Sequence, residues 1–371
     1  MLYFDYTATT PIDEEVLETY IRVERSFFAN STSLHKLGQM SNLMYEKASE
    51  EIKELLGTPN HNLVFTANAT EANNLGIYGA VLKHGSGRII TTKIEHPSVY
   101  EVFRNLERKG YDVVFLDIKA DGTVDLEQLE KAMNKDTLLV SVMWVNNIIG
   151  SIQPIRQVIE IVKRNPKAKL HVDAVQGIGK ILPDFDFSDV DLITLSGHKL
   201  YAPKGVGALL FRKQMELEKR LYGSEAQFGV KPGTISVALA ASLCKALKKY
   251  LPLTAAHQKY VSELNRHLRK GLGRLDYIVL NSGEDGSPYV VNFSLPGKNG
   301  ETVVHFLEKH EIYVSTGSAC SSKLKKPERT ILALTNDEGR ATSSIRVSLS
   351  HLTTKEEIDK LLEVLEKAKD V

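Results

Sequence analysis

Leu192-Ile193-Thr194-Leu195-Ser196-Gly197-His198-Lys199 joins a run of strand-forming residues to a short polar turn ending in a lysine. Its first four residues are apolar or β-branched, the composition of a strand covered on both faces. Small and polar residues then frame a primary amine, a group that forms a Schiff base with an aldehyde cofactor. A second segment, Ser315-Thr316-Gly317-Ser318-Ala319-Cys320, sets a thiol in a glycine- and serine-rich loop. As a thiolate, cysteine attacks sulfur or carbon centres. Together the two segments point to aldehyde-cofactor chemistry on a sulfur-containing substrate, a conclusion neither carries alone.

Outward from that strand, short apolar stretches at 62–66, 87–91, 112–116, 138–143, 169–172, 192–195 and 207–211 are predicted strands. Helical patterns fill the gaps at 72–82, 98–109, 125–132 and 155–163. That alternation predicts an open α/β layer, mostly parallel. The stretch 207–211 follows the lysine turn so closely that it reads as an antiparallel member. After about Lys248 the pattern changes: a helix over 251–272, strands at 277–279, 289–294 and 345–348, and a short helix at 301–308. Thr353 with Glu356 three residues on reads as the capping box of a C-terminal helix, whose Ile358, Leu361, Leu362 and Leu365 share one face. A helical segment over 43–56 follows Asn30-Ser31-Thr32-Ser33. The expected division is a large α/β domain over 15–250 and a smaller α+β domain from 1–14 and 251–371.

The 371 residues carry 42% hydrophobic side chains and a formal net charge of +1, the balance of an ordinary globular protein with no nucleic-acid surface. The start, MLYFDYTATTP, lacks the basic and apolar regions of an export signal, and no apolar run is long enough to span a bilayer. A cytoplasmic location is the resulting expectation. Of the two cysteines, Cys244 lies in the apolar helical run Val237–Leu247 and is expected to be buried, whereas Cys320 is expected to be reachable. No cysteine spacing of the zinc-site kind occurs, so no metal is expected.

Thr66-Ala67-Asn68-Ala69-Thr70-Glu71 forms a small-residue turn between a strand and a helix, where Ala69 and Thr70 could offer amides to a phosphate. A merely capped helix is the plain alternative. His171-Val172-Asp173-Ala174-Val175-Gln176 ends the preceding strand with an acid suited to a pyridine nitrogen and an amide suited to a ring hydroxyl. Ser196, His198 and Lys199 end the next strand at the same sheet edge, where α/β folds bind ligands. His96 could stack on a flat ring or simply open a surface helix, and Asn146-Asn147 either reaches the cofactor or forms a turn. The combination points to pyridoxal 5′-phosphate. Arg346, between Ile345 and Val347, suits a substrate carboxylate or an internal salt bridge equally.

At this point the chain resembles the cysteine desulfurases of the NifS/IscS-like family, fold type I pyridoxal-phosphate enzymes. The resemblance covers nearly the whole length. It rests on Phe4-Asp5-Tyr6-Thr7-Ala8-Thr9-Thr10-Pro11, Ala69-Thr70-Glu71, Glu95-His96, Asn146-Asn147, Ser196-Gly197-His198-Lys199, Gly317-Ser318-Ala319-Cys320 and Ser344-Ile345-Arg346-Val347-Ser348. It implies a fold type I transferase with a mostly parallel seven-stranded sheet and a smaller α+β domain. It also implies that Asn147, Asp173, Gln176, Ser196 and His198 surround the cofactor while Lys199 binds its aldehyde. A homodimer is implied, in which Thr234 of Pro232-Gly233-Thr234 reaches the neighbouring subunit's phosphate.

The resemblance further implies conversion of L-cysteine to L-alanine, with Arg346 on the substrate carboxylate and Asn30 assisting. Lys199 removes the α-proton, and His96 is the nearby proton-transfer group. Cys320 takes the sulfur as a persulfide and passes it to an acceptor protein or small thiol. The chain departs from the family at Phe228 and Lys231, which replace arginines, and at Trp144 and Ile148, where a smaller or polar and an acidic residue are usual. A selenocysteine lyase would use nearly the same apparatus, and a catalytically weak scaffold is the other alternative. An aminotransferase gives no reason for the cysteine loop.

Overall fold

The structure, a computed structural model, describes residues 1–317 and 327–370. Its strands in chain order are β1 (Leu2–Tyr3), β2 (His61–Thr66), β3 (Arg88–Thr92), β4 (Asp112–Leu116), β5 (Thr137–Met143) and β6 (Lys169–Asp173). They continue as β7 (Leu192–Ser196), β8 (Gly207–Arg212), β9 (Val279–Leu280), β10 (Val290–Ser294), β11 (Ile312–Tyr313) and β12 (Ser344–Ser348). The seven predicted central strands form one sheet in the order β2-β8-β7-β6-β5-β3-β4. All its pairings are parallel except those of β8, which lies antiparallel between β2 and β7.

The sequence explains why this sheet is covered on both faces. Ile89, Leu139, Leu192 and Leu209 are fully buried on one face, and Ile90, Val140, Val142, Val172, Ile193 and Leu210 on the other. Burying each such side chain contributes roughly 1.5–3 kcal/mol. On one face lie helices Ala69–Leu82 and Pro97–Arg108, whose Ile77, Val81, Val99 and Phe103 share a core with Ile89 and Leu209. The other face packs against Ile155–Lys163 and, through Leu243 and Leu247, against Val237–Tyr250.

The later half forms an antiparallel sheet in the order β12-β10-β9. It is packed by Thr254–Leu272 and the C-terminal helix Lys355–Lys367. The predicted helix over 251–272 starts instead at Thr254, because Leu251 closes the preceding helix. The C-terminal capping box is one residue later than expected: Thr354 and Glu357 make both of its bonds. Thr353 is diverted because its hydroxyl accepts from the Ser350 amide at 3.0 Å. The N-terminal arm crosses from one sheet to the other, pairing β1 with β11 in parallel and bridging Asp5 to Ser348. Among the described residues no helix is long and apolar enough to cross a membrane.

Candidate active site

Because β2 and β7 both oppose β8, they run with β6, β5 and β3, and their C-terminal ends share one edge of the sheet. Thr66 and Ser196 flank Gly207 in a single row, and Asp173 lies opposite Thr194 two residues before it. Glycine at 207 is required: a Cβ there would lie 2.8 Å from the Leu195 carbonyl oxygen and 2.9 Å from the Asn68 backbone. The turn before Ala69–Leu82 therefore closes directly onto the strand row. Asn68 caps that helix by accepting from the Glu71 amide at 2.9 Å. Among the described residues the amides of Ala69 and Thr70 have no intrachain partner, and Thr70 is exposed.

Lys199 follows β7 on a single turn of 3₁₀ helix, Gly197–Lys199. Its Nζ donates to the carbonyl oxygens of Thr7 and Ala8 in the N-terminal arm. Burial pushes this amine down to about 7, helped by the nearby cations Lys180 and Arg346, while Asp5 and Asp173 pull the other way. His198 is held to Thr9 through Nδ1 at 3.2 Å, and its carbonyl accepts from Thr10. Burial and the charges of Lys199, Lys180 and Lys204 lower it to about 4, so it is neutral at neutral pH.

A hydrogen-bonded chain leads from Asp173 to His96. Asn73 Nδ2 donates to Asp173 Oδ2 at 3.0 Å and to Ser98 Oγ at 2.8 Å. Ser98 Oγ then lies 2.8 Å from His96 Nδ1, which also accepts from the Ser98 amide at 3.2 Å. An acceptor Nδ1 places the ring proton of neutral His96 on Nε2. Burial, first of all, favours that neutral form. Glu95 next to it is buried and pushed up to about 8, chiefly by burial and further by Asp173.

The remaining sequence candidates divide into two groups. Gln176 Nε2 donates to the Thr7 carbonyl at 3.1 Å, which brings it beside Lys199. Arg346 is buried; it donates to Asp5 Oδ1 at 2.7 Å, to the Asn147 carbonyl at 3.1 Å and to the Gly317 carbonyl at 3.0 Å, and its Nε has no partner among the described residues. Asn146 is a turn residue, accepting from the amides of Ile148 and Ile149, whereas no hydrogen bond engages the Asn147 side chain among the described residues. Asn30 is exposed and its Oδ1 accepts from Thr32 within its own turn, away from these contacts. Thr234 is exposed as well. Cys320 lies outside the described residues; Gly317, which precedes its segment, has φ +102° and an Arg346 contact.

The class-V aminotransferase family matches residues 2–361. A cysteine desulfurase IscS of Pectobacterium atrosepticum is 37% identical over 99% of this chain and 92% of its own length. A solved NifS-like protein superposes with a TM-score of 0.92 at 33% identity, covering 100% of this chain and 99% of that one. SspA, solved in complex with cysteine, matches at 30% identity and a TM-score of 0.82, over 95% of this chain and 100% of its own. The chain belongs to the NifS/IscS cysteine desulfurases of the class-V aminotransferase family.

Pyridoxal 5′-phosphate is the cofactor of this family and of this chain. The desulfurase site fits it on three counts. Ser196 Oγ is buried with no hydrogen-bond partner among the described residues, beside the unpartnered amides at the start of Ala69–Leu82. Asp173 stands at a strand end, buried, and Lys199 offers an amine of lowered basicity. A cavity of about 890 Å³ lined by Trp144, Ile178, Phe185 and Leu251 shares none of these polar residues.

Sequence reasoning missed Asn73 and Ser98, which connect Asp173 to His96, and the Thr7 and Ala8 carbonyls. It also missed Lys180, buried and pushed down to about 7 by burial and by Arg346. A lysine inside the apolar run Ile178-Gly179-Lys180-Ile181-Leu182 was the available signal.

Proposed function

We propose that this cysteine desulfurase divides its work among the strand-end residues as follows. The Ala69 and Thr70 amides with Ser196 and His198 hold the cofactor phosphate, and Thr234 of a second copy completes that site in a homodimer. Asp173 would pair with the pyridine nitrogen, Gln176 and Asn147 would face the ring oxygen, His96 would stack on the ring, and Lys199 would bind the aldehyde carbon. When bound, the cofactor supplies an electron sink for the carbanion left by α-proton removal.

The chain's own groups do the rest. Arg346 receives the substrate carboxylate, and Asn30 assists. Lys199 takes the α-proton as a free amine, which its lowered pKa favours near neutral pH. His96, protonated at Nε2, is the proton-transfer group at the departing sulfur. The Cys320 thiolate attacks that sulfur: the substrate's carbon–sulfur bond breaks and a sulfur–sulfur bond forms. Alanine leaves with the protons, and the persulfide passes to an acceptor protein or small thiol.

The observation that carries this reading is Lys199 and the unpartnered Ser196 hydroxyl at one sheet edge with Asp173 and Arg346 beside them. A dimer is supported by exposed Phe28, Leu34, Leu37, Leu43 and Tyr222, apolar surface that a second copy would cover. The division into 15–250 and 1–14 with 251–371 is supported by the separate sheets, and a reducing cytoplasmic setting by the free Cys244 thiol. The test is incubation with L-cysteine, measuring alanine and mapping the persulfide by mass spectrometry, with borohydride trapping to locate the cofactor-bearing lysine. Persulfide on Cys320 and label on Lys199 are expected. No alanine from cofactor-saturated protein would sink the assignment.

A further inference from the structure

Lys180 is a buried amine for which the reaction described above has no use. It lies in the turn after β6, where Gly177 accepts from the amides of Lys180 and Ile181 at 3.0 and 2.9 Å. Gly179 in that turn has φ +72°, and a Cβ there would lie 2.3 Å from Leu200 Cδ1. The two turns bearing Lys180 and Lys199 therefore pack against each other through Gly179 and Leu200. Lys180 Nζ donates to Gln176 Oε1 at 2.9 Å, and Gln176 Nε2 donates to the Thr7 carbonyl that Lys199 also uses.

We propose that Lys180 is a positioning residue for this reaction: its amine turns the Gln176 carboxamide toward Thr7 and sets a second cation against Lys199. The inference rests on the assignment of Lys199 as the reacting amine. An amine bound to Gln176 only donates there, so the carbonyl end of Gln176 must face Lys180 and the NH₂ end must face Thr7 and the ring site. The positive charge that Lys180 carries below about pH 7, where its own burial places its titration, favours the form of Lys199 that can accept a proton. The other groups around the pair are Arg346, a cation; Asp5 and Asp173, which oppose it; and His198, neutral at neutral pH.

The test uses cofactor-free protein with ¹³C-labelled lysine ε-carbons, following each amine's titration by NMR. Lys180→Gln keeps a donor for Gln176 without the charge, and Lys180→Met removes both. In both, Lys199 should titrate higher by roughly half a pH unit or more, about a twofold loss of free amine at pH 7. Cofactor affinity should fall further in Lys180→Met than in Lys180→Gln, because only Met releases the Gln176 carboxamide. Linkage gives a reciprocal arm independent of how those variants fold: in Lys199→Ala, the Lys180 resonance should move to higher pH. An unmoved Lys199 midpoint in a folded Lys180 variant, or an unmoved Lys180 midpoint in Lys199→Ala, overturns the proposal. Borohydride label on another lysine would instead sink the Lys199 assignment while leaving the amine coupling measurable.

Discussion

Asp5 and Arg346, 341 positions apart in sequence, form a direct ion pair at 2.7 Å. The arginine side chain is 3% exposed and the aspartate 21%. The pair clips the N-terminal arm onto β12, and it leaves Arg346 Nε without a partner among the described residues. Asp5→Ala strands a buried guanidinium; because Asp5 itself is partly solvated, a loss of about 1–3 kcal/mol is expected in urea unfolding. Arg346→Gln should raise KM for L-cysteine by roughly tenfold or more. A KM that stays put would remove Arg346 from the substrate carboxylate.

Glu95 should give the fold an unusual pH dependence. Burial raises its carboxyl from 4.5 to about 8, while Oε1 accepts from Thr92 and Met143 and Oε2 has no partner among the described residues. Here the folded pKa lies above the unfolded one, so between 4.5 and 8 the native state binds more protons. The Glu95 contribution is therefore complete below pH 4.5 and is lost as pH rises toward 8, with a slope of up to about 1.4 kcal/mol per pH unit. Glu95→Gln keeps the Oε1 acceptor and should flatten the unfolding free energy over that window. A variant with the wild-type slope would show that Glu95 is ionised in the native state.

The central sheet was legible because its strands are short, largely apolar and often β-branched runs that alternate with helical patterns. Asp173, Ser196 and Lys199 could be placed together because parallel strand ends share an edge. Helix Lys36–Leu55 was read only from residue 43, since its first two turns bury Gly38 and Ser41 and leave apolar Leu37 and Met40 exposed. The capping box slipped because Thr353 and Thr354 both have a glutamate three residues on; a tertiary bond to Ser350 decides between them. The Lys199 carbonyl partners Thr7 and Ala8, and the Asp5 partner of Arg346, come from the far end of the chain. Local pattern carries no information about such contacts.

Trp144 is accommodated by Gly177. A Cβ at 177 would lie 2.0 Å from Trp144 Cε3, so the indole occupies the space of a side chain. Phe185 and Phe187 meet the same indole edge-on at 5.2 and 5.6 Å. Gly177→Ser should cost about 1–3 kcal/mol by overpacking. Combining it with Trp144→Ser should cost less than the sum of the two single changes, a coupling read from a double-mutant cycle in urea. Strict additivity would mean that the turn moves aside freely.

Lys231 pairs at 2.6 Å with Glu71, whose same oxygen accepts from the Ala67 amide. It thereby steadies the turn that leads into Ala69 and Thr70. Both side chains are partly exposed, at 23% and 26%, so the pair is worth about 1 kcal/mol at most. Lys231→Met should weaken cofactor binding by roughly threefold to fivefold and more so at low salt. Equal cofactor affinity at both ionic strengths would separate Lys231 from the phosphate turn.

The two cysteines should behave oppositely under turnover. Cys244 Sγ donates to Glu51 Oε2 at 3.2 Å, and burial followed by that carboxylate pushes the thiol up to about 12. Almost none of it is thiolate at neutral pH, and a thiol neither attacks sulfur nor holds a transferable persulfide efficiently. Glu51 keeps its Lys248 partner at 2.9 Å without the thiol, so Cys244→Ala should fold and turn over within about twofold of the parent. Cys320→Ser should lose alanine formation by about 100-fold or more, with cofactor binding retained. Persulfide found on Cys244 in the Cys320→Ser protein would show that sulfur leaves the site by a different route.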